Sequence, residues 1–229
     1  MNVAALLPVK GFRNAKQRLS PILGSAAREL LAETMFRDVL RAVTVARGLA
    51  GTFVVTGDDK VASIAVMAGA QVIRETAENG ETSAVDFARV RLKQKGCEAV
   101  LILPGDMPLV RASDVEQILG QVPDPAPAPF ALLVPSHDRL GTNALLLAPP
   151  DVIRLRFGYD SFTFHSNQVT VQGLPLRCCE NEHFALDIDE PQDLDRFLAY
   201  DLSDGASTRV ARELLGEAAT GSRRGSVTL

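Results

Sequence analysis

Short apolar runs alternate along the chain with longer stretches whose apolar residues recur every three or four positions. Val3 to Val9, Thr52 to Thr56, Gln71 to Ile73 and Ala99 to Leu103 read as strands, most of them apolar on both faces, as in a sheet covered on both sides. Between them, Leu31, Met35, Val39 and Val43 lie on one stripe of a helix from Ser25 to Arg47, with Gly48 as its stop. Helices are also expected from Asp59 to Ala68, from Thr82 to Lys95 and from Ser113 to Leu119, with a loop from Glu75 to Glu81. Pro123 to Pro129 alternates proline with small residues and predicts a stiff surface connection. Strands at Phe130 to Val134 and Asn143 to Leu147 follow, around a turn at His137 to Gly141. Next come a helix near Pro150 to Leu155, a loop at Phe157 to Ser161 leading into a short helix, and strands at Val169 to Val171 and Phe184 to Asp189. The last core helix starts at Pro191, a residue suited to a first helical turn. This order predicts a three-layer α/β domain with a mainly parallel, mixed sheet over residues 1–200. Residues 201–229 form an extension with an amphipathic piece at Arg209 to Leu215 and an expected disordered end at 221–229.

Composition narrows the function classes. The chain has 229 residues and a formal net charge of −4, so there is no general polycation for nucleic acid or an acidic membrane surface. No apolar run approaches a membrane span, and the N-terminus lacks the apolar core of a signal peptide, which makes the cytoplasm the expected location. Three cysteines, Cys97, Cys178 and Cys179, have no zinc-type spacing, and an odd count argues against a disulfide framework. His137, His165 and His183 share no metal spacing, and no Ser/His/Asp order suggests a nucleophile.

Candidate chemistry gathers at strand ends. Asp106 follows Pro104-Gly105 just beyond a buried strand, where ligands bind in open α/β sheets; the alternative is a turn aspartate serving backbone amides. Asp187 and Asp189 are two residues apart on an extended segment, so both carboxylates point to one side, a costly arrangement unless a cation holds them. They also stand where a cap for the Pro191 helix is needed. Three carboxylates together suit Mg²⁺ or Mn²⁺ with phosphate oxygens completing the shell. Lys10, Arg13, Lys16 and Arg18 follow the first strand with Gly11 among them, a cationic loop for a phosphate chain or simply a solvated basic loop. No Walker A pattern is present. Gly57-Asp58-Asp59 can hold a base or ribose, or cap a helix.

Taken in order, Leu7-Pro8-Val9-Lys10-Gly11-Phe12, Ala15-Lys16-x-Arg18-Leu19, Leu103-Pro104-Gly105-Asp106-Met107-Pro108-Leu109, Gly141-Thr142-Asn143, Phe157-Gly158-x-x-Ser161 and Asp187-Ile188-Asp189-x-Pro191-x-Asp193-Leu194 resemble the CofC/FbiD family, over residues 3–200. These are phospholactate or phosphoenolpyruvate guanylyltransferases of deazaflavin coenzyme biosynthesis. The resemblance implies a GT-A-like, Rossmann-like nucleotidyltransferase fold and transfer of GMP from GTP to the phosphate of a small acid: phosphoenolpyruvate, 2-phospho-L-lactate or 3-phospho-D-glycerate. It implies two Mg²⁺ on Asp106, Asp187 and Asp189, and GTP phosphates on Lys10, Gly11, Lys16 and Arg18, with Lys16, Arg18 and Asp106 catalytic. Guanosine would lie near Thr56 and Asp59, and the acceptor at Thr142, Asn143, Gly158 and Ser161. A downstream transferase that takes up the unstable product is an implied partner, and a homodimer is compatible with the exposed apolar faces. Many relatives carry Gly-Leu-Asn where this chain has Gly80-Glu81-Thr82-Ser83. A different nucleotidyltransferase, of molybdopterin or sugar-phosphate type, and a GTP-binding protein without turnover are the competing readings.

Overall fold

Strands β1 (Val3–Pro8), β2 (Gly51–Thr56), β3 (Gln71–Arg74) and β4 (Ala99–Ile102) pair in parallel, in the order β3-β2-β1-β4. A computed structural model describes residues 1–75, 80–122, 129–200 and 205–224, with side chains up to residue 216. The sheet continues through β6 (Thr142–Ala148), β5 (Phe130–Pro135) and β7 (Leu176–Cys178) to seven strands. Among the described strands β6 alone runs against the others, antiparallel to both β4 and β5. Its beginning therefore lies at the same sheet edge as the ends of β1 and β4.

Helices cover both faces, as strands apolar on both sides require. Alternate residues of β1 separate the two cores. Val3, Ala5 and Leu7 pack with α1 (Ser25–Val45), α2 (Asp59–Met67), α4 (Ala112–Leu119) and Phe184 of α6 (Glu182–Ala185). Ala4 and Leu6 face α3 (Glu81–Gln94) and α5 (Ser161–Val171). Helix α1 is buried on two sides. Phe36, Val39 and Val43 meet the sheet, whereas Leu31 and Met35 join a third cluster with Leu109, Leu186, Ile188, α7 (Pro191–Ala199) and Ala211 of α8 (Ala206–Arg224). A hydrogen bond from the Ser207 amide to Asp38 ties α8 to α1.

The fold is the expected three-layer α/β one, with local differences. Val169 to Val171 ends helix α5 rather than forming a strand, and the strand at that sheet edge is the exposed Leu176–Cys178. β-branched residues raise strand propensity, but α5 buries His165 and Val169 on one helical face, and packing decides. Phe184 to Asp189 is not a strand. Its start belongs to α6, and 186–189 is extended chain with one backbone bond, from Ile188 N to Asp106 O at 3.2 Å. Residues 150–153 form turns in place of the expected helix, and Arg89 reaches across to bond the Pro150 and Ile153 carbonyls. Glu81 begins α3 rather than ending a loop. Residues 221–224 lie in α8, while 225–229, Pro123 to Ala128 and 76–79 fall outside the described residues. No described helix is long and apolar enough to cross a membrane.

Candidate active site

A cleft of about 1000 Å³ opens along the sheet edge where β1 and β4 end and β6 begins. Its cationic wall is the loop after β1. Gly11 holds φ +157°, and a Cβ there would meet Asp58 Oδ2 at 2.9 Å, so a residue without a side chain is needed for this close approach. Asn14 and Lys16 then adopt left-handed backbone angles, φ 63° and 54°, before a 3₁₀ turn at Gln17–Leu19 buries Leu19. These turns aim Lys16 inward. Its Nζ donates to Asp106 Oδ2 at 2.5 Å and to Asp189 Oδ1 at 2.9 Å, with a side chain only 7% exposed. Burial alone would lower its pKa, but the charges of Asp106 and Asp189 outweigh that and raise it, so Lys16 is a cation. Lys10 and the exposed Arg18 also line the cleft, Arg18 Nη1 lying 3.8 Å from Asp189 Oδ2 and 3.6 Å from Glu190 Oε1.

The carboxylates come from two segments stitched together. Asp106 follows Gly105, where a Cβ would stand 2.9 Å from the Phe36 ring, so the chain passes tightly over α1. The Ile188–Asp106 backbone bond sets the 186–189 segment beside it. Leu186 and Ile188 point into the third core cluster, which turns Asp187 and Asp189 to the cleft. Asn143, at the start of β6, donates from Nδ2 to Asp187 Oδ1 at 3.0 Å and to the Phe184 carbonyl at 2.8 Å. Burial, then the charge of Asp106, pushes the Asp187 carboxyl up to about 6. For Asp189 burial acts in the same sense, but Lys16 and Arg18 overcome it and lower its pKa.

Thr142, Gly158 and Ser161 line the same cleft. Thr142 N donates to Ser161 Oγ at 3.0 Å, and Gly158, at φ +100°, turns the loop that leads into α5. Lys10, Gly11, Lys16, Arg18, Asp106, Thr142, Asn143, Gly158, Ser161, Asp187 and Asp189 are thus brought to one cleft. Thr56 and Asp59 are not. Thr56 is fully buried and its hydroxyl accepts the Asp58 amide, while the Asp59 carboxylate is paired with Arg74 at 2.7 Å. Thr56 serves the β2–α2 turn, where Asp58 caps α2 through Val61 N, and Asp59 ties the start of α2 to β3.

Sequence reasoning missed several lining residues. Glu81 opens into the cleft at the first turn of α3, and enclosure by protein together with the charge of Asp106 pushes its pKa up to about 7. The departure from Gly-Leu-Asn was its only signal. Glu75, His137, Tyr159 and Arg196 also line the cleft, with His137 Nε2 in close contact with Arg196 Nη1.

The three acids expected to bind metal share the cleft. Among the described residues, however, no three acidic, His or Cys side chains are gathered as a metal shell. Lys16 takes the space between Asp106 and Asp189 instead. Two observations still fit a hard cation. Asp106 Oδ1 is buried without a hydrogen-bond partner among the described residues, and burial beside the Asp106 charge raises the Asp187 pKa. Three carboxylates are a donor set of the kind that suits Mg²⁺.

The chain matches the family model described as "Guanylyl transferase CofC like" over residues 3–215. It is 37% identical over 199 residues to a phosphoenolpyruvate guanylyltransferase of Rubrobacter xylanophilus, covering 87% of this chain and 95% of that one. It is 31% identical over 204 residues to a 2-phospho-L-lactate guanylyltransferase of Methanothermobacter thermautotrophicus, covering 87% and 86%. In fold it resembles a protein of Desulfovibrio desulfuricans G20, with TM-score 0.77 at 17% identity over 96% and 98% of the two chains. With a match that runs through the cleft residues and on into α8, the chain belongs to the CofC-like guanylyl transferase family.

Proposed function

We propose that this protein transfers GMP from GTP to the phosphate of a small phosphorylated carboxylic acid, phosphoenolpyruvate or 2-phospho-L-lactate, and releases pyrophosphate. The observation that carries this reading is the buried Lys16 clamp on Asp106 and Asp189, open on one side to a cationic loop and on the other to Thr142 and Ser161. An acceptor phosphate is largely ionised near pH 7, because its second pKa is about 6, so attack on the α-phosphorus of GTP needs no general base. The work left to the protein is positioning and charge neutralisation. Lys10, Lys16, Arg18 and the backbone at Gly11 draw the triphosphate to one wall. Thr142, Gly158 and Ser161 hold the acid on the other, and Asn143 keeps Asp187 turned to the cleft. Asp106, Asp187 and Asp189 would hold Mg²⁺, which supplies charge neutralisation to the phosphate oxygens when bound.

The product is a mixed phosphoric anhydride joining GMP to the acid, and such a bond suits it to a downstream transferase in deazaflavin coenzyme biosynthesis. The test is incubation with GTP, Mg²⁺ and phosphoenolpyruvate, 2-phospho-L-lactate or 3-phospho-D-glycerate separately, with products identified by mass. A guanylylated acid and an equivalent of pyrophosphate are expected from at least one. Bound GTP without pyrophosphate from any of the three would make the chain a binding protein.

A further inference from the structure

His165 is a fully buried imidazole on α5, one helical turn beyond Ser161. Its two nitrogens have different partners. Nε2 lies 3.1 Å from the backbone nitrogen of Arg156, which can only donate, so Nε2 must offer its lone pair. The single proton of a neutral ring then sits on Nδ1, which lies 3.0 Å from Thr142 Oγ1. The ring is kept neutral by its surroundings. Burial, with Arg156 and Arg89 nearby, lowers its pKa to about 4, and the Phe157 and Phe164 rings stand edge-on to it at 5.5 and 5.7 Å.

The consequence passes to the cleft. Since Nδ1–H donates to Thr142 Oγ1, that oxygen is engaged as an acceptor, and the Thr142 hydroxyl proton must point elsewhere. Ser161 Oγ is engaged in the same way by the Thr142 amide, which frees its own proton. Both residues line the cleft, so the two hydroxyl protons are available to a molecule bound there. We infer that His165 is a positioning residue that fixes the Thr142 hydroxyl as a donor to an anionic oxygen of the phosphorylated acid, while its other nitrogen anchors the backbone leading to Gly158. This rests on the reading that the acid binds at Thr142 and Ser161. A site whose hydroxyls are committed as donors favours an ionised carboxylate or phosphate oxygen over a group that must itself donate.

Two near-isosteric variants separate the ring's two tasks. His165→Asn places an amide near Nδ1 and keeps a donor for Thr142, whereas His165→Gln reaches the Nε2 position and keeps only an acceptor for the Arg156 amide. With phosphoenolpyruvate as the varied acid, His165→Gln is expected to lower kcat/KM for the acid by about tenfold, the scale of one net hydrogen bond, with the KM for GTP unchanged. His165→Asn should stay within about threefold of wild type by the same measure, since the donor is retained. Thr142→Val should cost as much as His165→Gln, and the two together no more than either.

If Thr142→Val matters but the two His165 variants behave alike, or if GTP and acid parameters fall together, the inference is overturned and the acceptor site stands. If Thr142→Val leaves kcat/KM for the acid unchanged, the acceptor placement fails and takes the inference with it. Imidazole nitrogen NMR on the wild-type protein reads the same point without substitution. The proton should reside on Nδ1, and its resonance should move on adding phosphoenolpyruvate to the GTP-loaded enzyme. A proton on Nε2, or a resonance indifferent to the acid, would overturn the role.

Discussion

Lys16 is a non-glycine residue held in a left-handed backbone conformation, which costs about 1 kcal/mol. The return on that strain is a short path to two carboxylates. Lys16→Met keeps most of the hydrocarbon stem but removes the cation between Asp106 and Asp189, leaving only Arg18 beside Asp189. Both acids are partly exposed, so the loss of unfolding free energy in urea should be about 1–3 kcal/mol, below that for breaking a fully buried pair. Turnover should fall with it. Asp189→Ala removes one partner of Lys16 and one proposed metal ligand, and should leave a folded protein whose guanylyl transfer in Mg²⁺ is down by orders of magnitude. Near-normal turnover would remove Asp189 from the site. His165 supplies a third prediction, about stability. Its folded pKa, about 4, lies below the 6.5 of an unfolded histidine. Its contribution is therefore complete above pH 6.5 and lost as pH falls toward 4, with a slope of up to about 1.4 kcal/mol per pH unit. Glu81 and Asp187 act in the opposite sense, since raised carboxyl pKa values favour the native state as pH falls through 7 and 6. The check is therefore a difference: the stability of wild type relative to His165→Asn should shrink between pH 6.5 and 4.

Among the elements, those with strong local patterns were legible and those set by tertiary packing were not. The strands β1, β2 and β4 were readable because a run apolar on both faces has few other uses. Helix α1 was readable from one stripe, although its second buried side, with Leu31 and Met35 against α7 and α8, depends on elements far along the chain. Val169 to Val171 misled because β-branched residues look like strand even at the end of a helix. The 186–189 segment shows a subtler outcome. The strand expected there is absent from the sheet, yet its two-residue alternation survives, because Leu186 and Ile188 need a core and Asp187 and Asp189 are left the other side. Helix α8 covers α1 with buried Ser207, Thr208 and Ala211. Truncation after Gly205 should uncover part of that third cluster and lower the melting temperature by several degrees, as expected for about 1–2 kcal/mol in a domain of this size. An unchanged melting curve would show that α8 adds nothing to the packing.

At the scale of the molecule, the candidate site was legible as three sequence clusters whose meeting depended on topology. Residues 10–18, 106 and 187–189 carry their chemistry in local motifs, and a mainly parallel sheet places strand ends at a common edge. Glu81 and Arg196 carry no such motif and reach the cleft only through the assembled fold. Thr56 and Asp59 looked suitable, but Thr56 is bonded within its own turn and Asp59 is paired with Arg74 of β3. Because the walls of the cleft come from distant segments, ligand binding should stabilise the whole domain. GTP with Mg²⁺ at about a hundred times its dissociation constant should add about 2.7 kcal/mol to unfolding, read as a rise in melting temperature. Asp189→Ala should lose the part that depends on Mg²⁺.

The reversed strand β6 has one more consequence. Lys10 to Arg18, the proposed nucleotide wall, follow a strand, so altering that connection disturbs a helix that covers the core. Thr142 and Asn143 instead begin a strand, just after the short hairpin tip formed by Ser136 to Gly141. That tip closes on itself through the Ser136 hydroxyl, which accepts the Gly141 amide at 2.7 Å, and through Asp138, which accepts the Leu140 amide. A hairpin tip tolerates substitution and changes of length better than a crossover does. With the acid at Thr142 and Ser161 as proposed, changes within Ser136 to Leu140 would reshape its side of the cleft while the loop after β1 stays fixed. A lineage could exchange one small acid for another without rebuilding its guanylyl-transfer machinery.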